Sequence, residues 1–163
     1  MISRPVLTAV SAAAATIALA GLVIAQTPPA KTPPAFQPGL GDLMTMSVQP
    51  RHIKLGLGGR ARNWLYADYE LDELKEAFED VGTYVPQLGK YSIVEMLKLT
   101  DEPIKSLKAA IAGRDGSGFD RAYAQLTDAC NSCHVGSEHP MIVIRFPEAT
   151  SPFADQDFSP RKP

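Results

Sequence analysis

Residues 117–134 read SGFDRAYAQLTDACNSCH. Phe119, Tyr123, Leu126, Cys130 and then Cys133 with His134 recur at helical spacing, so the stretch predicts an amphipathic helix with one apolar face. Ser117 and Asp120 at its start form a loose capping box. The only two cysteines of the 163-residue chain lie at its far end.

Cys130-Asn131-Ser132-Cys133-His134 has the C-x-x-C-H spacing that attaches a c-type haem. On a helix, i and i+3 share a face, so two thiols can reach the two vinyl groups of one porphyrin. The next residue, His134, is then carried beneath the iron as proximal ligand. Rival readings are a redox dithiol, which wants a βαβ context, a zinc site, which wants more ligands close by, and a simple disulfide. Two cysteines are too few for the disulfide framework of a small secreted domain.

Upstream, three more helical regions are expected. The first begins near Leu40, with Leu40, Met44, Val48, Arg51 and Leu55 on one stripe. Pro50, Gly56, Gly58 and Gly59 interrupt it and predict a kink or break. The glycines follow no strand and precede no Lys-Ser/Thr, so they read as a close helix contact rather than a phosphate loop. The second helix carries Leu71, Leu74, Phe78, Val81 and Val85 inward, with Asp68, Glu70, Asp72, Glu73, Glu76, Glu79 and Asp80 on an acidic outer face. The third region has Ile93, Met96 and Leu97, then Ile104, Leu107 and Ile111, with Thr100 as the expected N-cap between them. Four amphipathic helices with short connections read as an all-α, antiparallel four-helix bundle.

Both ends differ from this body. Residues 1–25 carry one early Arg and an Ala-rich apolar run, the pattern of a secretory signal peptide cleaved after Ala25. An uncleaved membrane anchor is the rival, and membrane contact is expected only in that case. Residues 26–39 form a Pro-rich linker with Pro28, Pro29, Pro33, Pro34 and Pro38. Residues 40–139 form the helical domain, and 140–163 an extended or irregular tail. Formal net charge is −2, from 16 basic and 18 acidic residues. That balance removes the electrostatic case for nucleic-acid binding.

The helical body with its C-terminal motif resembles the class II c-type cytochromes, the group of cytochrome c-prime and its low-spin relatives. The resemblance covers about Leu40 to His134 and departs at the tail, where 29 residues follow His134. It implies one covalent haem c packed among the helices, held by Cys130 and Cys133, with His134 on the iron. It further implies an exported, periplasmic electron carrier that meets redox partner proteins and is not an enzyme. Gas-ligand binding at an open distal site is the alternative, and a haem-free helical interaction module is another. Monomer and homodimer both remain open.

For the sixth iron position, an up-down-up-down order brings the start of the first helix level with His134, which selects Met44 as candidate distal ligand. A vacant site and His52 are the competing readings. Met46 faces away, about 200° around the helix from Met44. Arg51, Lys54, Arg60, Arg62 and Arg145 are candidates to pair the haem propionates.

Overall fold

The computed structural model describes residues 37–148, 152–153 and 155–161. The expected signal peptide and nearly all of the Pro-rich linker lie outside the described residues. The described part is mostly helical: α1 (Leu40–Leu43), a π-helical segment (Met44–Val48), α2 (Gln49–Arg60), α3 (Trp64–Tyr84), α4 (Ile93–Leu97), a 3-10 turn (Lys98–Thr100), α5 (Asp101–Ala112) and α6 (Gly116–Gly136). Two short strands, β1 (Gln87–Leu88) and β2 (Tyr91–Ser92), pair antiparallel. Their turn uses Gly89 at φ +57°, a backbone position that glycine adopts without steric cost. Among the described residues, no helix is long and apolar enough to cross a membrane.

The break expected at Pro50 is instead a change of helical register. Proline has no N–H to donate to the preceding turn, and just before it Gln49 N–H reaches back five residues to the Met44 carbonyl. The chain stays helical through Pro50 and through the glycines. Gly56 and Gly59 are needed for close approach. A Cβ on Gly56 would lie 2.6 Å from the Tyr123 hydroxyl and 2.7 Å from Pro147, and one on Gly59 would collide with the Phe119 ring. The glycines are thus the surface on which α6 packs against α2.

Two caps differ from expectation. Asp115, not Ser117, caps α6: its carboxylate accepts the Gly118 N–H at 3.0 Å and the Ser117 hydroxyl at 3.0 Å. Thr100 precedes α5 but caps no N–H, since its hydroxyl donates to the Leu97 carbonyl at 2.7 Å. Asp101 and Glu102 support that helix start through the backbone dipole instead.

The core is aliphatic with two rings at its centre. Leu55, Leu71, Leu74, Val81, Leu107, Phe119, Tyr123 and Leu126 are fully buried. Glu70 corrects the reading of an all-solvated acidic face, because it is buried at 1% exposure. Its carboxylate accepts the Tyr66 hydroxyl at 2.5 Å and faces Arg51 at 3.4 Å. Arg51 also pairs with Glu73 at 2.8 Å, so this carboxylate pair holds α2 to α3.

Packing is uneven along the helices. At one end Gly59, Phe119 and Trp64 close together, and Arg62 ties the α2–α3 turn to α6 through the Gly116 carbonyl at 2.9 Å and Asp120 at 3.1 Å. Leu40, Met44, Val85, Leu88, Met96, Leu97 and Cys130 touch the core but stay only half-buried. They come from the start of the first helical run, the end of α3, the hairpin, α4 and the end of α6. Among these elements α1 meets α3 and α3 meets α4, and the 3-10 turn that follows α4 meets α6.

Candidate functional site at the end of the last helix

The apolar stripe of α6 runs from Phe119 through Ala122, Tyr123, Leu126 and Thr127 to Cys130. Cys130, Cys133 and His134 all belong to this helix and are all half-buried. Both cysteines are free thiols, although they stand one turn apart. Burial, with Cys133 adding to it, pushes the Cys130 thiol up to about 12, and burial also raises Cys133. Both thiols are therefore protonated near neutrality, which disfavours the nucleophilic dithiol reading, because the thiolate is the reactive form. Among the described residues no three His, Cys, Asp or Glu side chains assemble into a group able to cage a metal ion.

His134 has one ring nitrogen already committed. Its Nδ1 lies 2.9 Å from the Ile142 carbonyl oxygen. A carbonyl can only accept, so Nδ1 carries the hydrogen and Nε2 keeps its lone pair. The helix end makes this contact. Ser137 N–H returns to the Cys133 carbonyl at 2.9 Å, His139 N–H to the His134 carbonyl at 2.7 Å, and Ile142 N–H to the His139 carbonyl at 3.0 Å. Glu138 adopts φ +65° in this reversal, and its carboxylate accepts from Lys90 at 3.0 Å.

The tail then doubles back along α6 and α2. Ile144 pairs with the Asn131 side chain, and the Phe146 ring packs tilted against Tyr123 at 4.6 Å and under Arg60 at 4.4 Å. Further on, Gln156 donates to the Tyr66 hydroxyl at 2.7 Å. Asn63 donates to the Phe158 and Ser159 carbonyls at 3.2 and 3.1 Å.

The candidates for the far side of an iron fare differently. His52 is 3% exposed, and both its nitrogens have partners: Tyr123 Oη at 2.9 Å from Nδ1 and Thr127 Oγ1 at 3.1 Å from Nε2. Tyr123 donates to the His52 carbonyl at 2.7 Å, and Thr127 to the Tyr123 carbonyl at 2.9 Å. With His52 neutral, three hydrogens serve these four contacts, so one hydroxyl faces two acceptors: that of Thr127 if Nδ1 carries the ring hydrogen, that of Tyr123 if Nε2 does. Burial lowers the His52 imidazole from 6.5 to about 4.

Met44 opens the π-helical segment and packs half-buried against the core. The contacts of His52 with Thr127, Gly56 with Tyr123 and Gly59 with Phe119 show α2 and α6 running antiparallel. Extended two turns as a regular helix, this register would bring Met44 level with His134. Met46 is 74% exposed, in keeping with its position off the stripe.

Of the basic candidates, Arg51 and Arg62 are held by carboxylates, while Lys54 and Arg60 lie over the Phe153 and Phe146 rings. Arg145 is exposed and makes none of the ion pairs found among the described residues. With Gln49, His52 and Phe146 it lines a cleft of about 340 Å³ between α2 and the tail. A second cleft of about 410 Å³, lined by Phe78, Gly82, Val94 and Leu97, lies between α3 and the α4–α5 region. Neither cleft is lined by Cys133 or His134.

Sequence reasoning missed Asn131, Ile142, Tyr123 and Thr127 as parts of this region. Asn131 alone left a signal, since asparagine is a poor residue inside a helix unless its amide is used. Compared with protein-family models, curated proteins and solved structures, the chain matches none.

Proposed function

We propose that the chain is an exported monohaem c-type cytochrome of the class II kind, an antiparallel four-helix bundle that carries electrons and performs no substrate chemistry. One observation supports this above the others. Two unpaired thiols stand one turn apart on α6, followed at once by a histidine whose Nδ1 is taken and whose Nε2 is free. That donor set suits covalent haem, and the half-buried apolar residues at this end suit a large apolar cofactor.

Cys130 and Cys133 would hold the haem by thioether bonds, with His134 Nε2 on the iron. When bound, the haem supplies a one-electron iron couple whose potential follows axial ligand, hydrogen bonding and dryness. The chain's own residues do the rest. The Ile142 carbonyl holds the His134 ring and its tautomer, and the half-buried Leu40, Val85, Leu88 and Met96 would shield a group bound at that end from water. Met44 is the residue proposed for the distal side. The π segment supports this choice, because such turns re-aim side chains and are frequent at functional sites.

The test is absorption spectroscopy of the full chain, exported together with c-type maturation machinery. Oxidised and reduced spectra showing one covalent haem per chain are expected. No Soret band would overturn the proposal and leave the haem-free interaction module. Rapid CO binding to the reduced protein would instead favour the gas-ligand reading over electron transfer.

A further inference from the structure

Resting on the haem reading, we propose that the C-terminal tail belongs to the proximal haem site, with Asn131 as the positioning residue that holds the Ile142 carbonyl on His134. Asn131 lies between the two cysteines on α6. Its Nδ2 donates to the Ile144 carbonyl at 2.9 Å, and its Oδ1 accepts the Ile144 N–H at 2.7 Å. Only one orientation of the amide satisfies both bonds, so the two contacts define it. Two residues earlier in the tail, the Ile142 carbonyl meets His134 Nδ1 at 2.9 Å.

Hydrophobic burial does not hold this stretch in place. Met141, Ile142 and Val143 are 74%, 47% and 65% exposed. The carbonyl that orients the histidine is therefore positioned by hydrogen bonds on either side. On one side is the turn through His139, and on the other the Asn131 clamp. Beyond Phe146 the tail has separate anchors at Tyr66 and Asn63, far from the motif. Phe146 packed against Tyr123 fastens the tail between these points, and of all its fastenings the Asn131 clamp lies nearest the Ile142 carbonyl.

The function follows from ligand chemistry. A histidine that binds metal through Nε2 depends on an acceptor for its Nδ1 hydrogen, which fixes the ring and raises its donor strength. A stronger donor favours the oxidised iron, so losing the acceptor raises the reduction potential. In this chain the acceptor comes from the tail, and the clamp that presents it comes from within the haem motif.

The experiment compares wild type, Asn131→Ala and Asn63→Ala in the full, haem-matured chain. Covalent haem content, tryptic cleavage after exposed Arg145 and reduction potential are measured. Asn131→Ala should keep its haem, since both cysteines remain. It should be cleaved roughly tenfold faster, as expected when two hydrogen bonds restraining a local opening are lost. Its potential should rise. Asn63→Ala removes one far-end anchor and the α3 N-cap bond to the Tyr66 N–H, both away from the motif, and should match wild type in potential and in cleavage after Arg145. Unchanged cleavage in Asn131→Ala overturns the clamp. Faster cleavage at an unchanged potential overturns the proximal role and leaves a purely structural fastening. Absence of covalent haem from wild type overturns the haem reading and the proximal role together, while the cleavage rates still judge the clamp.

Discussion

Mild acid should destabilise this fold through one buried imidazole. His52 is 3% exposed between α2 and α6, and burial takes its pKa from 6.5 to about 4. The unfolded chain returns it to the ordinary value. Between those two values the unfolded state binds a proton that the folded state refuses. The stabilisation is therefore complete above 6.5, falls as pH falls through that window, and is gone below about 4. Each unit of difference is worth ~1.4 kcal/mol, so the loss is about 2 kcal/mol at pH 5 and ~3 kcal/mol when complete.

An opposing effect is built into the same site. Protonation would supply the fourth hydrogen that the Tyr123–His52–Thr127 contacts lack. A hydrogen bond to a charged group is worth about 1.5–3 kcal/mol. Burying an unpaired charge costs several kcal/mol even after relaxation. Desolvation therefore wins. The assay is urea unfolding of the full chain at pH 7, 6 and 5, for wild type and His52→Gln. His134, His139 and the carboxylates are common to both proteins, so the difference isolates His52. Wild type should lose about 2 kcal/mol more than the variant between pH 7 and 5. Equal losses would refute the reasoning, and would mean that the missing hydrogen offsets burial. An NMR titration of the His52 ring gives a second check: it should stay flat from pH 8 to 5.

Other perturbations probe separate parts of the molecule. Gly59→Ala drives a methyl group into the fully buried Phe119 ring and should cost about 1–3 kcal/mol in thermal unfolding, whereas Gly41→Ala, with open space at its Cβ, should be neutral or stabilising by up to ~1 kcal/mol. Glu70→Ala strips the partner from Arg51 and Tyr66 and should cost ~3 kcal/mol in urea unfolding; Arg51 keeps Glu73 and stays partly solvated, which holds the loss to the low end for a broken buried pair. Met44→Ala in the haem-matured protein should convert a six-coordinate spectrum to five-coordinate and open the iron to CO, and an unchanged spectrum removes Met44 from the distal position.

The helices were legible because their apolar residues recur at helical spacing. Leu71, Leu74, Phe78 and Val81 are buried as that spacing requires, and so are Leu107 and Ile111. Pro50 was misleading. A proline removes one N–H, and local pattern alone does not say whether the helix breaks or shifts register. Here Gln49 bonds five residues back, so the helix continues. Glu70 was misplaced because its burial depends on Arg51 arriving from α2, beside Tyr66 one turn earlier on its own helix. The Ser117 cap failed by two residues, since Asp115 accepts from the Gly118 N–H itself.

By itself the sequence determined the helical class and the one cluster of chemistry, Cys130, Cys133 and His134. Both are local, set by spacings of three or four residues on a single helix. Tertiary structure decided which nitrogen of His134 is free, because its partner carbonyl, Ile142, arrives only after the chain reverses. It also decided that His52 is a buried packing group engaged at both nitrogens, and that the tail is fastened to the motif through Asn131. Hydrogen-bond partners brought in by chain reversal and helix packing leave no periodic trace in sequence, so only the folded chain could reveal them.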